Sequence, residues 1–155
     1  MGVGRNANLV YIIDFGLSKE FRDPGTYVHI PCNTGLGFTG TADFASVNSH
    51  LGLELGRRDD LESLAYVLIF FFCGFLPWQG NRNDILVQKQ EFTSHAMFEK
   101  LPVEIQSFLH YSQSLSFEAI PDYDQFYNLF NDALLQDGHE GGLSSLVFDW
   151  DVTRD

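Results

Sequence analysis

Residues 57–78 read RRDDLESLAYVLIFFFCGFLPW, and this stretch decides the fold. Its beginning is charged, whereas the run from Leu64 to Cys73 is apolar on every side. A helix with no polar face lies either at the centre of a protein core or in a membrane. A membrane span needs about 18 or more apolar residues, and this run stops short of that, at Pro77. We therefore interpret residues 57–78 as a buried central helix, with a membrane span as the alternative.

Length, composition and charge limit the class of protein and the kind of partner. The chain has 155 residues, of which 45% are hydrophobic and 15% aromatic, and this predicts one globular domain with a real core. Its net charge is −12. Nucleic acids and anionic membrane surfaces bind through cationic surfaces, so neither is expected as a partner. The partners that remain are proteins, as substrates or as binding partners.

The cysteines and the first residues indicate where the protein works. Cys32 and Cys73 are far apart and have no spacing typical of a disulfide framework or a zinc site. No charged-then-apolar leader follows Met1, so a secretory signal is not expected. We predict an intracellular location, cytoplasmic or nuclear or both.

The remaining patterns predict an α-rich domain with one small β element at its front. Residues 8–13 (NLVYII) form a short β-branched run that predicts a strand buried on both faces. No period holds over residues 17–41, which are rich in glycine. A helical stretch is expected over residues 85–100, and two more helices are expected after Pro102 and Pro121. The last of them has apolar residues at helical spacing, namely Phe126, Leu129, Phe130, Ala133 and Leu134.

The tripeptide Asp14-Phe15-Gly16 follows the predicted strand directly. A strand that delivers a carboxylate onto a glycine turn suits the binding of a Mg²⁺ ion that carries phosphate. Taken alone, the same pattern is also typical of a strand end closed by an Asp turn. The other motifs of the sequence favour the first interpretation.

The motifs that accompany Asp14-Phe15-Gly16 follow one another in a fixed order along the chain. After IDFGLSKEF at residues 13–21 come a loose Gly-rich loop, GTADFAS at 40–46, RRDDLESLAYVL at 57–68 and LPWQG at 76–80. Together with HIP at 29–31 and ASVN at 45–48, this order resembles the C-terminal lobe of the casein kinase 1 family of Ser/Thr protein kinases. The resemblance covers nearly the whole chain, from just before the DFG motif onward. It implies a mainly α, partial protein-kinase-like domain over residues 1–155.

The resemblance also implies a division of the chain and roles for individual residues. Its parts are 1–16 (β element and DFG), 17–50 (activation segment), 57–78 (central helix), 81–137 (helices of the lobe) and 138–155 (C-terminal tail). Asp14 is similar to the family's Mg²⁺ ligand, with Phe15 and Gly16 completing its DFG motif. Gly40 and Thr41 resemble activation-segment residues, and Thr41 would support the catalytic Asp and Lys by hydrogen bonding. Asp60 and Trp78 resemble structural supports of the site.

Several parts that a kinase needs are missing from the sequence. There is no Gly-rich loop, no phosphate-pairing Lys and no His-Arg-Asp catalytic loop. ATP and Mg²⁺ are the cofactors of the family, but we expect this chain alone to bind them poorly and to be inactive. Asp43 and Ser116 stand where the family has Arg, so contacts to anionic substrate groups are also lost.

Three hypotheses follow. The chain is a partial casein kinase 1-like protein whose full-length relatives phosphorylate Ser or Thr, or it is a non-catalytic, pseudokinase-type binding module, or it is a remnant without function. We further expect Met1 to be an internal methionine, with more kinase sequence encoded upstream. Finally, the central helix is expected to expose an apolar patch, because the helices that cover it in a complete lobe are absent from the sequence.

Overall fold

The computed structural model describes Gly2, residues 9–80 and residues 83–137. Within these residues the protein is mainly α-helical, as predicted, and its β structure is limited to isolated bridges. The described helices are α1 (Val47–His50), α2 (Arg57–Cys73), α3 (Ile85–Glu91), α4 (Val103–Ser114) and α5 (Tyr123–Gln136). The predicted C-terminal tail at 138–155, and Asn8 of the predicted strand, lie outside the described residues.

The chain divides into two compact units. One consists of Met1–Glu20 with Asp124–Asp155, and the other of Phe21–Tyr123. The second unit contains α1 to α4 and nearly all of the buried side chains of the described residues. This unit therefore holds most of the described core.

The strand predicted over residues 8–13 is wrong for residues 9–13, which are described without strand structure. Their side chains are exposed, to 83% in the case of Ile12 and 78% for Ile13. A strand is stable only when a neighbouring strand supplies hydrogen bonds and a surface to pack on. No such neighbour occurs among the described residues, so β propensity alone does not order this run.

Helix α2 begins at Arg57 because Asp59 caps it. The backbone N–H of Gly56 donates to Asp59 Oδ2 at 2.8 Å, and the N–H of Asp59 donates back to the Gly56 carbonyl at 3.0 Å. This reciprocal pairing satisfies donors that a helix start leaves open, and the two carboxylates of the first turn favour the positive end of the helix dipole.

Helix α2 ends at Cys73, before the predicted boundary at residue 78. Gly74 takes a left-handed conformation with φ 79°, which glycine adopts without strain, and its N–H closes the last turn on the Phe70 carbonyl. Leu76 and Trp78 lie beyond the helix and are buried. No helix of the described residues combines the length and the hydropathy required to span a bilayer.

Burial of α2 is one-sided, which corrects the interpretation of a helix enclosed on all sides. The buried side consists of Asp59, Glu62, Ala65, Tyr66 and Ile69. On the opposite side Leu64 is 47% exposed and Phe71 75% exposed, as expected for an uncovered apolar patch. Sequence hydrophobicity does not identify the buried side, because that side includes two carboxylates while the exposed side carries large apolar residues. The positions of neighbouring helices decide which side is covered.

The buried side of α2 packs most extensively against α4. Helix α4 contributes Ile105, Phe108 and Leu109, which follow helical spacing as predicted and are at most 8% exposed. The start of α2 is also tied to the segment after α4, because Arg57 Nη2 donates to the Glu118 carbonyl at 2.8 Å. Two helices far apart in sequence thus form the centre of this unit.

The helical stretch predicted over 85–100 is α3 followed by two single 3₁₀ turns, Phe92–Ser94 and Phe98–Lys100. Phe92 and Phe98 are buried and meet edge to face at 5.7 Å between ring centroids. Helix α5 carries the predicted apolar stripe, whose residues are buried or half-buried while most of the other α5 side chains are exposed. The sequence also predicts that Gly138 ends this helix, and Gly138 lies outside the described residues.

Gly52 is the glycine with the least room for a side chain. Its φ is +66°, and a Cβ atom added to it would lie 2.6 Å from the Leu36 carbonyl oxygen. We expect Gly52→Ala to destabilise the fold by more than the roughly 1–3 kcal/mol that a left-handed alanine costs, because the clash adds to the strain. The measurement is the urea midpoint followed by circular dichroism.

Gly35 provides the matched control for this prediction. It has a similar φ of +73°, but a Cβ atom there would meet nothing within 4 Å. Gly35→Ala therefore reports the backbone strain alone. Equal losses of stability in the two variants would contradict the expected clash at Gly52.

Candidate functional site

A buried polar cluster lies where the segment of residues 42–49 meets α2. We call it the motif cluster, and it consists of Asp59, Glu62, Trp78 and Lys89 with the groups of that segment that they bind. Asp59, only 3% exposed, is its first member. Its Oδ1 accepts hydrogen bonds from Ser46 Oγ at 2.8 Å and Asn48 Nδ2 at 2.9 Å, while its Oδ2 caps α2. One carboxylate thus starts the central helix and fixes the segment that precedes it.

Glu62 is the second buried carboxylate of the motif cluster and is also 3% exposed. Its Oε1 accepts from the Val47 N–H at 3.1 Å, from the Tyr66 hydroxyl at 2.6 Å and, at a longer 3.4 Å, from Gln113 Nε2. Burial and the charge of Glu62 raise the pKa of Tyr66 well above its ordinary value. These bonds join α1, α2 and α4 at one carboxylate.

Trp78, which follows α2 in the chain, also belongs to the motif cluster. It is fully buried, and its Nε1 donates to the Asp43 carbonyl at 2.7 Å. Its ring packs edge to face on Tyr66 and Phe92, with centroids 5.0 and 5.2 Å apart. The indole therefore supplies both a large apolar contact and a hydrogen bond that pins residue 43.

Lys89 on α3 is the most unusual member of the motif cluster, because its relative exposure is 0%. Its Nζ donates to the Ala42 carbonyl at 3.0 Å and to the Ala45 carbonyl, and it lies 4.6 Å from the ring centroid of Tyr66. Burial lowers the pKa of Lys89 to about 8, although the charges of Glu62 and Asp43 oppose this shift. A buried ammonium needs compensation for its lost hydration, which the two carbonyls and the nearby charges of Glu62 and Asp43 provide here.

The lowered pKa of Lys89 predicts how stability varies with pH. Between about pH 8 and its ordinary value of 10.5, the unfolded lysine holds a proton that the folded one has lost. Stability rises with pH wherever the unfolded state binds more protons, so this group should add stability as pH increases from about 8 to about 9. Above that range Cys73 and Tyr66, whose pKa values are raised by burial, act in the opposite direction.

Urea unfolding at about pH 7.5 and about pH 9 measures the effect. Wild-type protein should gain stability relative to Lys89→Met over this interval, because only the wild type carries the titrating ammonium. Parallel pH profiles of the two proteins would contradict the assignment of the shift to Lys89.

The residues predicted for an active site are divided between the two units of the chain. Asp14 belongs to the unit that contains Met1–Glu20, where it is exposed and left-handed with φ 63°, and Phe15 is 67% exposed. Gly16 lies with Phe15 in a single 3₁₀ turn, whose end is closed by Ser18 Oγ donating to the Phe15 carbonyl at 2.6 Å. These three residues form a local turn after an extended run.

The remaining predicted residues lie in the Phe21–Tyr123 unit. Gly40 has φ 108°, and the carbonyl of the exposed Thr41 accepts from the N–H groups of Phe44 and Ala45 at 2.9 and 2.8 Å. Asp60 is on the exposed side of α2, next to the buried Asp59. Trp78 is thus the predicted residue that the structure brings into the motif cluster.

Three members of the motif cluster were not predicted: Asp59, Glu62 and Lys89. A signal for each exists in the sequence. Asp59 and Glu62 are in helical phase with Tyr66 and Ile69, and Lys89 lies four residues after Ile85 and three before Phe92. A polar residue in phase with an apolar stripe is expected to face the same core as the stripe.

An apolar pocket of about 450 Å³ opens beyond the end of α2. Its lining includes Phe72, Cys73, Phe75, Met97 and Leu101, with Lys100 at the same site. None of the predicted site residues lines it. Its size and apolar character are those of a site for a hydrophobic group.

Metal ligation by Asp14 remains a prediction from the sequence. Within residues 9–80 and 83–137, no group of three or more His, Cys, Asp or Glu side chains could hold a metal ion. A comparison of the sequence with models of known protein families finds no match.

Proposed function

We propose that this chain is the C-terminal lobe portion of a casein kinase 1-like Ser/Thr protein kinase, and that it is not active by itself. The observation that carries the proposal is the motif cluster. Three of the motifs that resemble the family, GTADFAS, RRDDLES and LPWQG, contribute to one buried network through Ser46, Asp59 and Trp78. Chance matches to separate motifs have no reason to share a network, whereas parts of one structural unit do.

The same network supports a specific role for the segment of residues 42–49. Six hydrogen bonds connect this segment to four side chains outside it, those of Asp59, Glu62, Trp78 and Lys89. The resemblance places these residues at the end of the activation segment (17–50), the part of the family's lobe that recognises substrate groups. A segment fixed by buried charges is suited to presenting a rigid surface.

This chain alone is not expected to catalyse phosphoryl transfer. Phosphoryl transfer requires that a phosphate cradle, a pairing Lys, a metal ligand and a group that orients the substrate hydroxyl act together. Of these, the sequence supplies only a candidate metal ligand, Asp14. If bound in a complete domain, Mg²⁺ would neutralise the phosphates, and the Asp14 carboxylate would be the group that holds it.

A fusion protein tests the proposal. The ATP-binding lobe and catalytic loop of a casein kinase 1 are joined to the start of this chain, and phosphate transfer to casein is measured. The fusion is expected to gain activity that Asp14→Ala abolishes. Asp132→Ala, which removes an exposed carboxylate of α5, is the matched control and should leave the activity unchanged.

A folded fusion without activity would contradict the proposal and favour the second candidate, a non-catalytic binding module. The exposed apolar side of α2, with Leu64 and Phe71, is the observation that favours this candidate. Large exposed apolar patches are typical of binding surfaces. Circular dichroism of the fusion separates loss of function from loss of folding.

A further inference from the structure

The apolar pocket beyond the end of α2 belongs to the buried side of that helix. Cys73, which lines the pocket, follows Glu62, Tyr66 and Ile69 at intervals of four, three and four residues. At about 3.6 residues per turn these four positions share one side of the helix. The rest of the described lining comes from the same unit of the chain, mainly from residues 95–101. The pocket is therefore a feature of one unit and lies where the buried side of α2 ends.

Most of the pocket wall is apolar and adaptable. Of the nine described lining residues, seven carry no charge and no strong hydrogen-bonding group, namely Phe72, Cys73, Phe75, Pro77, Ala96, Met97 and Leu101. Phe72 and Phe75 are 57% and 54% exposed, so a ligand that covers them removes a large apolar area from water. The flexible thioether of Met97 can adjust to the shape of a ligand. This wall suits a hydrocarbon chain without polar groups along its length.

The other two lining residues, His95 and Lys100, give the pocket a cationic end. Lys100 is exposed, and its ammonium has three hydrogen-bond donors. Nδ1 of His95 accepts from the Met97 N–H at 3.1 Å, so the neutral ring carries its proton on Nε2 and can donate it. Glu99 neighbours Lys100 in the sequence, but neither it nor another carboxylate is among the described lining residues. In a chain with a net charge of −12, this pocket is thus locally suited to an anionic group.

The volume of the pocket limits the length of the ligand. It measures about 450 Å³, which lies within the roughly 300–1,000 Å³ of small-molecule sites. If each non-hydrogen atom takes roughly the 30 Å³ of a water molecule in the liquid, the pocket holds about 15 such atoms. A saturated carboxylate of about ten to twelve carbons has about 12–14 non-hydrogen atoms and therefore fits.

We propose that this pocket binds a medium-chain fatty carboxylate. The hydrocarbon chain lies against Phe72, Phe75 and Met97, and the carboxylate is held by Lys100 and His95. This inference goes beyond the proposed function and does not rest on it. The affinity for decanoate is expected to be modest, with a Kd of about 0.1–1 mM, because the ligand is small and the pocket is open to solvent.

The two free cysteines allow binding to be measured on the full chain. Cys73 lines the pocket, whereas Cys32 is exposed and is not among the described lining residues. The alkylation rate of each thiol by iodoacetamide is followed by mass spectrometry during a titration with sodium decanoate, below the concentration at which decanoate forms micelles. A ligand that blocks the thiol slows its alkylation by the factor 1 + [L]/Kd, so decanoate at about five times Kd should slow Cys73 about sixfold. The rate at Cys32 should stay unchanged.

The length of the probe tests the apolar wall. Burial of one methylene group strengthens binding by about fourfold at most, so the step from octanoate to decanoate should lower the Kd by about three- to fifteenfold. Ala96→Trp places a large side chain in the pocket and should abolish the protection of Cys73. Because Ala96 is exposed, this replacement is expected to leave the fold intact, and circular dichroism establishes that it does.

The charge of the probe tests the cationic end. Lys100→Met should weaken decanoate binding by about three- to tenfold, because it removes a charge-assisted contact at a partly exposed site. The same variant should bind decanol, which has no carboxylate, as well as the wild type does. Lys19→Met is the matched control, since it removes an exposed ammonium from the other unit of the chain, and it should leave both affinities unchanged.

Several outcomes would overturn the proposal. Equal slowing at Cys73 and Cys32 would show a general detergent effect, and an unprotected Cys73 at several millimolar decanoate would show that the pocket does not bind the chain. Decanoate affinity that Lys100→Met leaves unchanged would remove the assignment of the carboxylate. Protection by phosphatidylcholine vesicles but not by decanoate would indicate contact with a lipid surface instead. Lys100→Met replaces an exposed side chain, so this variant decides the question even if Ala96→Trp does not fold.

Discussion

Incubated with ATP, Mg²⁺ and casein, the 155-residue chain is expected to transfer no phosphate above the uncatalysed background. Asp14 would have to act without a Gly-rich loop, a phosphate-pairing Lys or a catalytic loop. Loss of a general base alone costs about 10²–10⁴-fold in rate, and loss of the nucleotide cradle removes the bound state on which the base acts. The two losses together should leave no measurable turnover.

Radiolabel transfer and calorimetric titration with ATP and Mg²⁺ measure this expectation. Wild-type protein and Asp14→Ala should be indistinguishable in both assays, because a single carboxylate gains little from binding a metal ion without phosphate. A complete casein kinase 1 serves as the positive control. Transfer by the wild type that is abolished in Asp14→Ala would contradict the expectation and give this chain a catalytic role.

The second large effect is the loss of folding stability expected when Lys89 is replaced. Lys89→Ala should destabilise the fold by about 3–5 kcal/mol at pH 7, because it removes one partner of a buried charge network and leaves a cavity among aromatic rings. This is a large part of the ~5–15 kcal/mol by which such domains are stable. Among the described contacts, the Ala45 carbonyl accepts a hydrogen bond from the Lys89 ammonium. The Ala42 carbonyl accepts one from Lys89 and a second one from His50 Nε2.

Urea unfolding at fixed protein concentration measures the loss. Lys89→Met keeps most of the side-chain volume and should cost less, about 1–3 kcal/mol, mainly through the unpaired Ala45 carbonyl. Lys100→Met removes an exposed ammonium and should change stability by at most about 0.5 kcal/mol. A Lys89→Met variant as stable as the wild type would show that the buried ammonium contributes no net stability.

The parts of the fold that depend on local sequence were predictable. The start of α2 at Arg57 follows from the carboxylates behind it, and its end near Gly74 follows from a glycine that takes φ 79°. The buried residues of α4 and the apolar stripe of α5 follow from helical spacing. In each case the signal lies within one turn of the residue that it predicts.

The parts that depend on distant partners were not predictable. Residues 9–13 have the composition of a strand, but a strand forms only beside another, and their own sequence does not contain that information. The exposed side of α2 carries Leu64 and Phe71, whereas the buried side includes the carboxylates of Asp59 and Glu62, so hydrophobicity alone does not identify the covered side. For the candidate site, Trp78 was predicted as a structural support, whereas the burial of Lys89 depends on carbonyl groups more than 40 positions away.

The packing of α2 against α4 also determines when this unit can fold during synthesis. Helix α2 ends at Cys73, while α4, which covers its buried side, ends at Ser114. At about 5–20 residues per second, a ribosome needs roughly 2–8 s to complete the intervening chain. During that interval the part of α2 that α4 covers stays open on the nascent polypeptide. Emergence of α4 is thus the earliest moment at which this unit can close its core.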